Sequence, residues 1–160
     1  MRKAFIILTS IALVALTVAT FSVVLISSPF AHANSSKTIH IIEHLVNVTI
    51  GDVPPAGDSA GDQLAFHNPL FDVTDKHQVG QTNGDCVRTV VGQLYECFAT
   101  IFLPAGQIAL QGPFYTNGAD SMFAITGGTG AYQEARGQMR VHTIGNPVGS
   151  EHDLFLTLAN

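Results

Sequence analysis

Apolar residues fall first into one long run and then into many short segments. The run covers residues 4–26, follows Arg2 and Lys3, and is closed by Pro29 and the small residues Ala31 and Ala33. A basic start, an apolar stretch and an A-x-A site, in that order, predict a secretory signal peptide over residues 1–33. The stretch is close to the ~20 residues that span a bilayer, so an uncleaved anchor through residues 4–26 is the alternative. No Cys stands near the cleavage site, which argues against a lipid-anchored product.

Past Ala33 the pattern shortens. Residues 38–50, rich in Ile and Val, predict a long first strand. Further strand signals recur over 62–71, 77–82, 86–91, 94–103, 107–115, 120–126, 131–144 and 153–159. Turn residues separate them: residues 51–57, Asn83-Gly84, Pro104-Ala105-Gly106, Asn117-Gly118, residues 127–130 and Gly145-Asn146-Pro147. No segment keeps a helical period over three turns. About eight short strands with regular turns predict an all-β domain over residues 34–160, a barrel or a sandwich. An antiparallel barrel of about eight strands removes exposed edges and can enclose one small ligand.

Composition narrows the partners. Residues 34–160 hold five basic residues (Lys37, Lys76, Arg88, Arg136, Arg140) against twelve acidic ones, a net charge of −7 with His neutral. No basic cluster exists, so nucleic acid is a poor partner. Gly127-Gly128-Thr129-Gly130 lacks the Lys of a phosphate-binding loop and the spacing of a dinucleotide fingerprint, and reads as a strand-to-strand turn. His40 and His44 would lie about 13 Å apart along a strand, too far to share an ion. Neither HxH nor HExxH occurs, so no metal is expected, and no cofactor. Asn34 and Asn47 open glycosylation sequons, which matter only in a host that glycosylates. No Gly-x-Ser-x-Gly is present.

Two Cys in an exported chain suggest a disulfide. A hairpin turning at Val91-Gly92 pairs residues whose numbers sum to 183, which sets Cys86 opposite Cys97. Two separate buried thiols are the plainer alternative. The bond would close a loop of about ten residues and stabilise by roughly 2–3 kcal/mol.

A resemblance carries more. GDQLAFHNPLF at residues 61–71 resembles the allene oxide cyclase segment GDLxPFTNxLY. The Gly-Asp-Cys-Val end of residues 80–87 resembles that family's GITAGxCV, and Gln111-Gly112-Pro113-Phe114 its VQGPY. Residues 124–132, AITGGTGAY, and Gly137-Gln138-Met139 resemble its AITGGSGIF and GQV. The matches lie in order over most of residues 39–159. The GGTG turn with Ala135-Arg136-Gly137 also resembles plant dirigent proteins.

The resemblance implies an eight-stranded antiparallel barrel that assembles as a homotrimer around an apolar cavity. In that family the cavity folds an unstable fatty-acid epoxide into one stereoisomer of a cyclopentenone. The family's pocket Glu falls on Glu43, its water-holding Asn on Asn68 and its pocket Cys on Cys86. Two positions depart from the family: Leu45 replaces a second Asn, and Phe114 replaces a Tyr. The family's Ser-Pro pair has no clear match, because Val53 precedes Pro54 and Pro55.

Strand alternation tests this placement. An inward Glu43 brings Ile41, Leu45 and Asn47 with it. An inward Asn68 brings Phe66 and Leu70. An inward Cys86 brings Arg88, which then needs a carboxylate such as Glu43. Ile42, Val46, Phe98, Phe102 and Ile108 are left facing outward, where subunit contacts would cover them. Without the resemblance, Glu43 reads as a solvated strand-edge acid and Asn68 as a turn residue before Pro69.

The resulting expectation is an exported barrel that binds a small apolar or fatty-acid-like molecule. Glu43 and Asn68 are the candidate catalytic residues, and Leu45, Phe66, Cys86 and Phe114 the candidate ligand contacts. Three classes compete: an isomerase or cyclase, a dirigent-like or lipocalin-like binding barrel without chemistry, and a structural protein with a filled barrel. Leu45 and Phe114 favour the second.

Overall fold

The computed structural model describes residues 36–145 and 149–159. The proposed signal peptide at residues 1–33 lies outside them. Nine strands follow in chain order: β1 (Ser36–His44), β2 (Val48–Gly51), β3 (Gln63–Phe71), β4 (Gln78–Val90), β5 (Leu94–Leu103), β6 (Gly106–Tyr115), β7 (Ser121–Gly128), β8 (Arg136–Ile144) and β9 (Glu151–Ala159). The only helical element among the described residues is a 3-10 turn, Gly130–Tyr132.

Each strand from β3 to β9 pairs antiparallel with the next, β9 returns to β1, and β1 pairs with β3. Eight strands therefore close a ring, and β2 adds to β3 beside it. Closure satisfies the ladder around the ring without an open edge. Inward positions carry the apolar residues of each alternating strand. Ile41, Leu70, Ile101, Ile108, Leu110, Ile125, Leu156 and Leu158 are buried together.

The predicted first strand is broken. β1 ends at His44 and β2 begins at Val48, with Leu45, Val46 and Asn47 between them. The side chain of Asn68 holds this break open. Its Oδ1 accepts hydrogen bonds from the backbone N–H groups of Val46 and Asn47, both at 3.1 Å. A side-chain oxygen thus replaces the carbonyl of a missing ladder rung. The break also shifts the alternation, so Val48 rather than Asn47 follows Leu45 toward the interior.

Three other expectations are corrected. Asn83-Gly84 is not a turn but the middle of β4. Gly84 is there for close approach: an added Cβ would stand 2.4 Å from the Phe66 ring and 2.6 Å from the Phe98 carbonyl oxygen. The segment 131–144 is not one strand, because the 3-10 turn occupies its start and β8 opens at Arg136. Ile108 does not face outward but is fully buried. It differs by an even number from Leu110 and Phe114 and shares their face.

Cys86 and Cys97 are directly opposite on β4 and β5 and are joined by a disulfide. The connecting loop, residues 91–93, turns through Gly92 at φ +70°, a left-handed conformation that Gly adopts freely. We expect Cys86→Ser/Cys97→Ser to destabilise by roughly 2–3 kcal/mol in urea unfolding, from loop closure in the unfolded chain. Two free thiols titrated in the denatured, non-reduced wild type would contradict the bond.

Candidate functional site

One part of the barrel interior is packed solid and another holds a partly open cavity of about 90 Å³. Leu45, Phe66, Cys86 and Phe114 all line it, as do Glu43 and Asn68. Phe123, Met139, Val141 and Leu154 extend the apolar wall from the opposite side. The disulfide is part of the wall, so Cys86 offers sulfur surface and not a reactive thiol.

The polar end is a row of four residues on four adjoining strands. His152 on β9 stands opposite Glu43 on β1, and Asn68 on β3 stands opposite Thr82 on β4. All four are buried. His152 Nδ1 donates to Glu43 Oε2 at 3.0 Å. Asn68 Nδ2 donates to Glu43 Oε1 at 3.2 Å, and the Thr82 hydroxyl donates to the same oxygen. The Phe114 ring leans against the imidazole, with centroids 5.4 Å apart.

Burial acts to raise the Glu43 carboxyl, but the hydrogen bonds from His152, Thr82 and Asn68 outweigh it. The group is held below the usual glutamate value, so its carboxylate form prevails.

Arg88 is not the partner of Glu43. It stands six residues along β4 from Thr82, about 20 Å away at ~3.3 Å per residue. Its guanidinium pairs with Asp58, Nε to Oδ1 2.6 Å, and lies over the Tyr95 ring at 3.9 Å. Nearby, Asp62 accepts from the backbone of Ser59 and Val53 and is lowered chiefly by those bonds.

The sequence reading passed over two polar residues of the site, Thr82 and, more consequentially, His152. It heads the alternating series His152, Leu154, Leu156, Leu158 of β9, whose members are all buried. A histidine in the inward register of an apolar strand is the signal that could have found it. His40 and His44 do not meet. His40 Nε2 contacts Asp153 at 3.1 Å and His44 Nε2 contacts Asp75 at 2.7 Å. The ligating atoms of His44, Asp75 and Glu151 lie within 4.8 Å of one another.

Solved structures place this barrel among known ones. A pyocyanin demethylase is 29% identical, with a TM-score of 0.66, over 76% of this chain and 99% of that one. A pterocarpan synthase dirigent protein, 16% identical, aligns with a TM-score of 0.68 over 79% of this chain and 89% of that one. An exo-specific intermolecular Diels-Alderase, 18% identical, aligns with a TM-score of 0.64 over 79% of this chain and 99% of that one. At those identities the last two share the fold alone. The allene oxide cyclase family model matches residues 45–158, from just before β2 to near the end of β9. Taking in well over half of the sequence, that match shows that the chain belongs to the allene oxide cyclase family.

Proposed function

We propose that the protein is an exported barrel that takes a small apolar molecule into this cavity and steers its cyclisation or isomerisation. The observation that carries the reading is an apolar cavity with its polar groups gathered at one end. Apolar walls select shape by burial, while a few fixed polar groups orient the ligand. The pyocyanin demethylase, pterocarpan synthase and Diels-Alderase named above put similar barrels to work on small molecules. A binding barrel without turnover is the second reading. It is favoured by Leu45 and Phe114, which remove two polar groups that the family resemblance led one to expect.

Mass spectrometry of small molecules that copurify with the exported protein tests the common part of both readings. An apolar ligand retained by the wild type, and bound roughly tenfold more weakly by Phe66→Ala, is the expected result. No retained ligand and no uptake of an apolar dye would reject both. An assay that generates an allene oxide in place then separates them: one product enantiomer means catalysis, and racemic product at the uncatalysed rate means binding alone.

Assembly as a homotrimer belongs to the same proposal. Phe98 is 54% exposed and Val46 61%, and Val87 on β4 is exposed as well. Exposed apolar residues of this kind favour cover by another subunit. A light-scattering mass of one subunit at micromolar concentration would reject it.

A further inference from the structure

One polar atom that lines the cavity has no hydrogen-bond partner among the described residues. Glu43 Oε1 accepts from Asn68 and Thr82, and Oε2 accepts from His152. Asn68 Oδ1 is occupied by two backbone N–H groups, and one N–H of its amide is spent on Glu43. The Thr82 proton goes to Glu43. The two residues expected to act on a ligand are therefore largely committed to the fold and to each other. Because a carboxylate only accepts, His152 Nδ1 must carry a proton, and in the neutral ring Nε2 is then a bare acceptor. Among the described residues no donor reaches Nε2, and His152 lines the cavity beside Phe114.

We propose that Glu43 and His152 form a proton-transfer dyad, with His152 Nε2 the base that meets the ligand and Glu43 the residue that positions it. The inference rests on the cavity being the ligand site. It names a substrate class: a small apolar carbon acid, with a C–H acidified by a conjugated carbonyl or heteroaromatic ring. The base takes that proton. The C–H electron pair passes into the adjoining π system, an Nε2–H bond forms, and the new imidazolium is paired with the Glu43 carboxylate. Return of the proton to another carbon of the same system completes a double-bond isomerisation, with no oxidant or reductant required. A base oriented through its other nitrogen by a buried carboxylate follows the logic of hydrolase dyads and triads.

The positioning role of Glu43 makes a specific prediction. In Glu43→Gln the amide oxygen is retained by Asn68 and Thr82, which both donate. The amide NH2 is then turned toward His152 Nδ1 and selects the opposite tautomer, with the proton on Nε2. Shape and hydrogen bonding survive while the base is lost.

The test uses the protein purified after export from the full-length chain, with 5-nitrobenzisoxazole as the probe. This flat, apolar molecule loses a C–H proton to a base, its N–O bond breaks, and a coloured cyanophenolate is released. Nitrogen-15 NMR of the wild-type imidazole is expected to show Nε2 unprotonated, and Glu43→Gln to show it protonated. The wild type is expected to exceed free imidazole at equal concentration by about 100-fold. His152→Gln, whose amide can still donate to Glu43, should fall to the buffer rate while the probe still displaces an apolar dye. A protonated Nε2 in the wild type, or a wild-type rate in His152→Gln, overturns the dyad alone. Failure of the probe to displace dye from the wild type overturns the dyad and the cavity reading together. The tautomer measurement needs no variant, so a misfolded mutant cannot spare the proposal.

Discussion

His152→Leu is expected to destabilise the protein by about 3 kcal/mol, among the largest effects of replacing any single buried polar residue in this barrel. The leucine leaves a buried Glu43 carboxylate without its strongest partner. Thr82 and Asn68 still donate to Oε1, but Oε2 faces an apolar wall. The carboxyl then either stays charged at high cost or takes up a proton, which itself costs folding free energy at neutral pH. Urea unfolding should show a lower midpoint with an unchanged slope. The double variant Glu43→Leu/His152→Leu should cost less than the sum of the two single changes, by at least about 1 kcal/mol. It should not be neutral, because Asn68 and Thr82 each lose the acceptor they serve, at ~1–3 kcal/mol apiece. Strict additivity of the single changes would show that the pair contributes nothing as a pair.

Acid is expected to destabilise the barrel. For Glu43, burial opposes ionisation, yet the bonds from His152, Thr82 and Asn68 hold it below its ordinary value of 4.5. Asp62 is lowered by the Ser59 and Val53 backbone, Asp72 by Thr74 and His77, and Asp120 by His142 and Arg140. A folded-state carboxyl held below its unfolded value binds fewer protons than the unfolded chain does. The stability it confers is complete above the unfolded value and drains away as pH falls below it. Melting temperature should therefore hold level down to about pH 5 and fall steeply from there toward pH 3. Asp72 and Asp120 are partly exposed and screened by solvent, so the buried Glu43 and Asp62 should dominate the slope. Glu43→Gln lowers the plateau but flattens the fall. A melting temperature constant from pH 6 to pH 3 would contradict this account.

The strand-and-turn pattern made an all-β barrel or sandwich legible, because two-residue alternation and Gly-containing turns are local signals, and resemblance chose the barrel. The Cys86–Cys97 pairing was legible for a related reason: a short hairpin loop leaves little freedom in register. Glu43, Asn68 and Phe114 came from resemblance and Phe66 from alternation with Asn68, and all four border the cavity. What the sequence hid was interaction across the ring. His152 meets Glu43 over a separation of 109 residues, through closure of the last strand onto the first. Assigning Glu43 to Arg88 followed charge and ignored distance along a strand. Asn83-Gly84 carried a strong local turn signal that tertiary packing overrode, because the Phe66 ring needs the space a side chain would fill. The break after His44 was invisible for the same reason. It depends on a carboxamide 21 and 22 residues further along.

The placement of β2 beside the ring has a consequence for solubility. Eight strands have no free margin, but β2 is bonded to β3 on one side only among the described residues. Its four residues, Val48–Gly51, are all exposed and include Val48 and Ile50, with strong strand preference. That is the combination that recruits a foreign strand and seeds fibrous growth. Here the template is only four residues long, and it ends at Gly51 and a loop that carries Pro54 and Pro55, neither of which can donate to a growing ladder. Among the described residues, self-association through backbone pairing is thereby confined to one short rim, where brevity and proline limit how far it can spread.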